Sequence, residues 1–128
     1  METQSDDMKA EAQGYDYSLH QHGIVVLVTT PSVDEATRIG LAVVDGGLAA
    51  CANIVSQVKS IFRWEGKVSE ETEVLLIFKS RSDLFPELSE AVRRLHSYRV
   101  PEVIALPIIN GYPAYLKWIT DSTRNTLK

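Results

Sequence analysis

The chain has 128 residues, of which 45% are hydrophobic and 23% charged, as expected for a soluble globular protein of one domain. With a formal net charge of −4, the chain lacks the positive electrostatic field of a nucleic-acid-binding protein. Its apolar runs are shorter than the ~20 residues that a helix needs to span a membrane. The single cysteine excludes an intrachain disulfide and fits a reducing compartment. We therefore expect a cytoplasmic protein that binds neither nucleic acid nor membranes.

Residues 1–21 are polar and acidic, without the basic and apolar segments of a secretory signal, and are predicted to form a mobile N-terminal tail. The folded domain is predicted to span residues 22–128. It opens at residues 24–28 with a continuous apolar, β-branched run, which is typical of a strand buried on both faces. A helix should then begin at Ser32, because Glu35 follows at the spacing of a capping box.

The middle of the chain predicts a long hairpin. Residues 58–64 lead into the turn-forming Glu65-Gly66-Lys67, and a polar return segment ends in the apolar run 74–78. A second helix, capped by Ser82 or Asp83, a strand over residues 103–109, and a short terminal helix opening at Pro113 complete the pattern.

This order predicts an α+β fold of the ferredoxin-like, split βαβ type, written βαββαβ plus a C-terminal helix. Two main helices cover only one face of such a sheet. The strands nevertheless alternate apolar residues onto both faces, so the second face would be a larger apolar patch than a monomer normally exposes. We expect an oligomer that packs sheet against sheet.

Several segments resemble the CutA family of divalent-cation tolerance proteins over roughly residues 23–120. They are VTTPS (28–32), LAACANI (48–54), SIFRWEGK (60–67), HSYRVPE (96–102) and YLKWI (115–119). The resemblance implies the same ferredoxin-like fold and a homotrimer that looks like the PII signalling proteins, with clefts between subunits. It also implies a non-enzymatic role in tolerance of copper and other divalent metals. No cofactor is required, although Cu(II) or another divalent metal is a candidate ligand.

His96 is the best candidate metal ligand, because imidazole suits copper, zinc and nickel and the family resemblance favours a histidine here. Glu102 would add a carboxylate if the loop between them folds back. The alternative interpretation is a histidine that is hydrogen-bonded at the end of the second helix.

A second hypothesis is a PII-like sensor that binds a small anionic metabolite in the intersubunit cleft. The candidate residues for that ligand site are Trp64, Glu65, Lys67, Lys79, Tyr98 and Trp118. Aromatic residues such as Trp64 are equally expected at a subunit interface, so that alternative stays open.

Overall fold

The computed structural model describes residues 22–125 and contains in them four strands and three main helices. The strands are β1 (Gly23–Thr30), β2 (Cys51–Trp64), β3 (Lys67–Arg81) and β4 (Val103–Pro107). The helices are α1 (Val33–Asp45), α2 (Phe85–Leu95) and α3 (Pro113–Asp121), with a 3-10 turn at Ser82–Leu84 just before α2. The predicted N-terminal tail lies outside the described residues, so its mobility stays a prediction.

The four strands form one sheet in the order β2-β3-β1-β4, and every neighbouring pair is antiparallel. Helix α1 connects β1 to β2, and α2 connects β3 to β4. The central position of β1 and β3 confirms the ferredoxin-like prediction. Strand β4 ends at Pro107, two residues before the predicted end, although the Ile108 amide still donates to the Gly23 oxygen at 3.0 Å.

The start of α1 confirms half of the predicted capping box. The Ser32 hydroxyl accepts a hydrogen bond from the Glu35 amide at 3.2 Å. The Glu35 carboxylate, however, is buried and accepts hydrogen bonds from Ser97 instead. The predicted cap of α2 by Ser82 or Asp83 is wrong, because Leu84 precedes that helix without a side-chain cap and the Asp83 carboxylate binds Arg81.

The two faces of the sheet differ in their cover. The face beneath α1 and α2 carries the core residues Ile24, Val26, Val28, Val74, Leu76 and Phe78, all buried. On the other face, the residues that alternate with them are only half-buried in β1 and β3. The neighbouring β4 side chains of Ile104 and Leu106 are each 50% exposed on that second face. The apolar second face predicted from the strand pattern is therefore present and largely uncovered in the single chain.

Helix α3 covers one end of this second face. Cys51 shares the face with its cross-strand partner Lys79, and its Sγ lies 3.9 Å from the Tyr115 hydroxyl of α3. Arg81, farther along β3, donates to the Thr123 hydroxyl at 3.1 Å just beyond the helix. These contacts leave the central part of the face open.

The hairpin of β2 and β3 extends past the sheet, as predicted. β1 pairs with β3 only from residue 74 onward, so residues 58–64 and 67–73 pair only with each other among the described strands. A register shift between Val55 and Val58, with Gln57 at φ 61°, separates the projecting part from the base. The turn places Glu65 and Gly66 in the left-handed region, at φ 51° and 79°, a geometry that suits glycine at the second position.

Candidate functional site

The main cleft lies where the projecting hairpin meets the loop between α2 and β4, and its volume is about 680 Å³. The hairpin contributes Lys59, Ser60, Ile61, Phe62, Trp64, Glu71 and Glu73 to its lining. The opposite side consists of Thr29, Tyr98, Arg99, Val100 and Glu102. Cavities of this size hold small organic ligands in many proteins.

The hairpin wall follows from strand alternation. Ser60, Phe62 and Trp64 are two residues apart on β2, so their side chains share one face. Ser60 pairs with Glu71, and Val58 pairs with Glu73, which places both carboxylates on that same face of β3. Two aromatic rings and two carboxylates therefore lie along one surface of the hairpin.

The loop wall is held by a buried histidine. The His96 side chain is fully buried, and its Nε2 lies 2.7 Å from the backbone oxygen of Thr29 at the end of β1. The Tyr98 amide donates to its Nδ1 at 3.0 Å. A carbonyl only accepts and an amide N–H only donates, so these two hydrogen bonds fit a ring with its proton on Nε2; the Glu35 carboxylate lies 3.3 Å from Nδ1 as well. Neither nitrogen keeps a free lone pair for a metal in this arrangement.

Two buried carboxylates accept hydrogen bonds from the residues that follow His96. Glu35 of α1 accepts from the Ser97 amide at 2.9 Å and from the Ser97 hydroxyl at 3.0 Å. Glu73 of β3 accepts from the Tyr98 hydroxyl at 2.7 Å. Burial, and then the hydrogen bond to Glu73, raise the pKa of the Tyr98 hydroxyl well above its ordinary value. Tyr98 is thus a proton donor that ties the loop wall to the hairpin wall.

The charges of the cleft are predominantly acidic. Its lining includes three carboxylates, from Glu71, Glu73 and Glu102, against two bases, Lys59 and Arg99. Lys59 lies 3.5 Å from the carboxylate of Glu70, which offsets its charge. The cleft therefore favours a cationic over an anionic ligand.

The residues predicted for ligand binding are only partly brought together. Trp64 and Tyr98 line the cleft. Glu65 lies in the hairpin turn and Lys67 opens β3 opposite Trp64, and neither lines the cleft. Lys79 donates to Asn53 on the second face of the sheet, and the Trp118 ring packs 5.3 Å from the Tyr115 ring on α3. These positions place Lys67 and Lys79 outside this single-chain cleft, and the anionic-metabolite site between subunits stays a prediction.

The two residues predicted to bind a metal, His96 and Glu102, differ in exposure and position. Glu102 is exposed and lines the cleft, whereas His96 lies beneath the loop. Within residues 22–125, no three His, Cys, Asp or Glu side chains come close enough together to hold a metal ion. Metal ligation by His96 stays a prediction, and it would require the ring to give up its hydrogen bonds to Thr29 and Tyr98.

The sequence reasoning missed Glu35, Glu71 and Glu73 as site residues. Glu71 and Glu73 stand two residues apart beyond the hairpin turn, so strand alternation was sufficient to put them on one face. Nothing local in the sequence indicates the role of Glu35, because its partner Ser97 is 62 residues away along the chain.

A family model described as CutA1 divalent ion tolerance protein matches residues 24–122. The chain belongs to this family. It is 48% identical over 99 residues to the divalent-cation tolerance protein CutA of Thermus thermophilus, a match that covers 77% of this chain and 96% of that protein. The chloroplastic protein CutA of Arabidopsis thaliana is also 48% identical, over 102 residues, but the match covers 80% of this chain and only 56% of that longer protein.

Solved structures of CutA proteins share the fold. The crystal structure of CutA1 from Oryza sativa superposes with a TM-score of 0.80 at 45% identity, covering 84% of this chain and 98% of that one. The resemblance stated from the sequence motifs is thereby confirmed. In the described part of the chain, no helix combines the length and apolar character needed to cross a membrane.

Proposed function

We propose that this CutA-family chain is a non-enzymatic homotrimer that acts in the cytoplasmic response to divalent metal ions, with copper among them. The observation that carries the proposal is the family match over residues 24–122, together with relatives that are named as divalent-cation tolerance proteins rather than as enzymes. The acidic lining of the cleft agrees with a cationic ligand.

Self-association is supported by the uncovered second face of the sheet. Ile104 and Leu106 are half exposed there, beside the partly buried Val25, Leu27 and Ile77 of the central strands. Burying a contiguous apolar surface of this kind stabilises an assembly by about 25 cal/mol per Å² removed from water. Packing this face against other copies would also complete the clefts between subunits.

The metal contact that we propose in the cleft is Glu102, because its carboxylate is exposed and belongs to the lining. One carboxylate does not make a metal site, and within residues 22–125 of one chain no three suitable side chains converge. We therefore propose that groups from more than one subunit complete the coordination of copper, so that metal binding depends on assembly.

Calorimetric titration of the full chain with Cu(II) tests this proposal. Four variants accompany it: Glu102→Gln, His96→Gln, Ile104→Glu, and a double replacement by alanine of His20 and His22, a His-x-His pair in the N-terminal part of the sequence that could itself capture copper. We expect copper binding to survive the double replacement and to weaken in Glu102→Gln. In Ile104→Glu, we expect sedimentation to show dissociated subunits and copper binding to be lost.

Each outcome has a separate meaning. Copper binding that disappears with His20 and His22 would locate the metal on the N-terminal segment and refute a site in the fold. A loss of binding in His96→Gln, with the fold intact by circular dichroism, would support the sequence prediction that His96 itself is a ligand. Binding that persists in dissociated Ile104→Glu would refute the dependence on assembly.

A further inference from the structure

We propose that the cleft of a single chain binds a small organic cation, an alkylated ammonium group carried on an apolar body. This inference goes beyond the proposed function, because it gives the same cleft a second class of ligand that one chain can bind without assembly. It is carried by the juxtaposition of aromatic rings and carboxylates on one face of the projecting hairpin.

The first argument is the chemistry of the hairpin wall. Phe62 and Trp64 are 37% and 49% exposed, and both line the cleft. Glu71 pairs with Ser60, the neighbour of Phe62 on the same face, so Glu71 is diagonal to the Phe62 ring. Diagonal side chains of an antiparallel pair have Cα atoms roughly 7–8 Å apart. An ammonium group lying on the ring is then within reach of the carboxylate, which is the combination that binds organic cations.

The second argument concerns charge. Lys59 is offset by Glu70 at 3.5 Å, so Arg99 is the one base of the lining that no carboxylate of residues 22–125 pairs with. Glu71 and Glu102 likewise form no ion pair within those residues. An anion would face two unpaired carboxylates, whereas a cation gains from them.

The third argument distinguishes an organic cation from a metal ion as the ligand of a single, unassembled chain. Hard divalent metals need several oxygen ligands around one point, and no three acidic, histidine or cysteine side chains converge in the described residues. Glu73 is already engaged by the Tyr98 hydroxyl. The opposite wall also includes Val100, whose side chain cannot ligate a metal but suits the methyl groups of an alkylated amine. One carboxylate and two rings are sufficient for the organic cation.

The experiment uses the full chain carrying Trp118→Phe, which leaves Trp64 as its sole tryptophan. The Trp64 fluorescence is followed during titration with tetramethylammonium chloride at constant ionic strength. Sodium chloride and tert-butanol, a neutral molecule of similar shape, serve as controls. We expect a saturable change with tetramethylammonium in the millimolar range and none with either control.

Two further substitutions locate the site. Glu71→Gln should weaken tetramethylammonium binding about fivefold, because a carboxylate next to the ring face is lost. Glu65→Gln removes the same charge from the same hairpin outside the cleft, and it should leave binding unchanged. An equal weakening in both variants, or no saturable change in the parent, would overturn the inference.

The inference and the copper proposal can fail separately. Tetramethylammonium binding should persist in dissociated Ile104→Glu, since the cleft belongs to one chain, whereas copper binding should be lost there. If copper binds as proposed and tetramethylammonium does not, only the present inference is refuted. Loss of tetramethylammonium binding in Ile104→Glu alone would likewise refute the placement of the site within a single chain.

Discussion

The buried guanidinium of Arg81 offers the sharpest test of how the fold is held. Its side chain is 6% exposed, and that of its partner Asp83 is 10% exposed. Its Nε and Nη2 donate to the two Asp83 carboxylate oxygens at 2.9 Å each. Nη1 donates to the Thr123 hydroxyl at 3.1 Å, and Nη2 also donates to the Arg124 backbone oxygen at 2.8 Å. This one side chain joins the end of β3 to the segment after α3.

We expect Arg81→Met to lower the free energy of unfolding by about 3–5 kcal/mol, the usual result of removing one member of a buried ion pair. The cause is that the Asp83 carboxylate loses its two-point partner while it stays shielded from water. The measurement is urea unfolding followed by circular dichroism, with all variants at one protein concentration because assembly contributes to apparent stability.

The matched control is Arg93→Met, which removes an arginine that also makes two hydrogen bonds to one carboxylate, that of Glu90. That pair is exposed on α2, so water replaces the lost contacts and we expect no measurable change. Adding Asp83→Leu to Arg81→Met should recover most of the loss, because the shielded charge is gone. Equal effects of Arg81→Met and Arg93→Met would refute the reasoning.

Three further predictions concern pH, capping and assembly. The pKa of Tyr98 is raised in the folded state, so its contribution to stability is present below the unfolded value of about 10 and is lost as pH rises above it. Urea unfolding at a series of pH values should therefore show a smaller alkaline loss of stability in Tyr98→Phe. The control Tyr112→Phe, at an exposed ring, should leave that loss unchanged. Ser32→Ala should lower the unfolding free energy by about 1 kcal/mol in the same assay, and Ser32→Asp, which keeps a capping oxygen, should restore it. Ile104→Glu should dissociate the assembly in sedimentation velocity, whereas Leu41→Glu, also at an exposed apolar position, should not. Equal sedimentation of the two variants would contradict packing through the sheet face.

Much of the fold could be predicted because its rules are local. The cap at Ser32, the turn at Glu65-Gly66 and the position of Pro113 at the start of α3 each depend on a few neighbouring residues. The alternation of apolar residues along β1 and β3 predicted a sheet with two apolar faces, and the half-exposed Ile104 shows that the second face is open.

The site could be predicted only in part, because its contacts join distant segments. Trp64 and Tyr98 line the same cleft of the single chain, whereas Lys79 and Trp118 belong to the second face and to α3. The intersubunit site predicted for these residues stays a prediction. The sequence left open whether His96 is a metal ligand or a histidine hydrogen-bonded at the end of the second helix, and only the folded chain brings the Thr29 oxygen, 67 residues away, to its ring.

The sequence by itself therefore determined the order of the elements, the family and the need to cover a second apolar face, since strand periodicity, capping and turn chemistry act within a few residues. Only the tertiary structure decided which polar groups are available for binding. Packing buried Glu35, Glu73 and His96 with hydrogen-bond partners, because a polar group without a partner is costly away from water. It left Glu71 and Glu102 with the aromatic rings of the cleft, where we propose that a ligand binds.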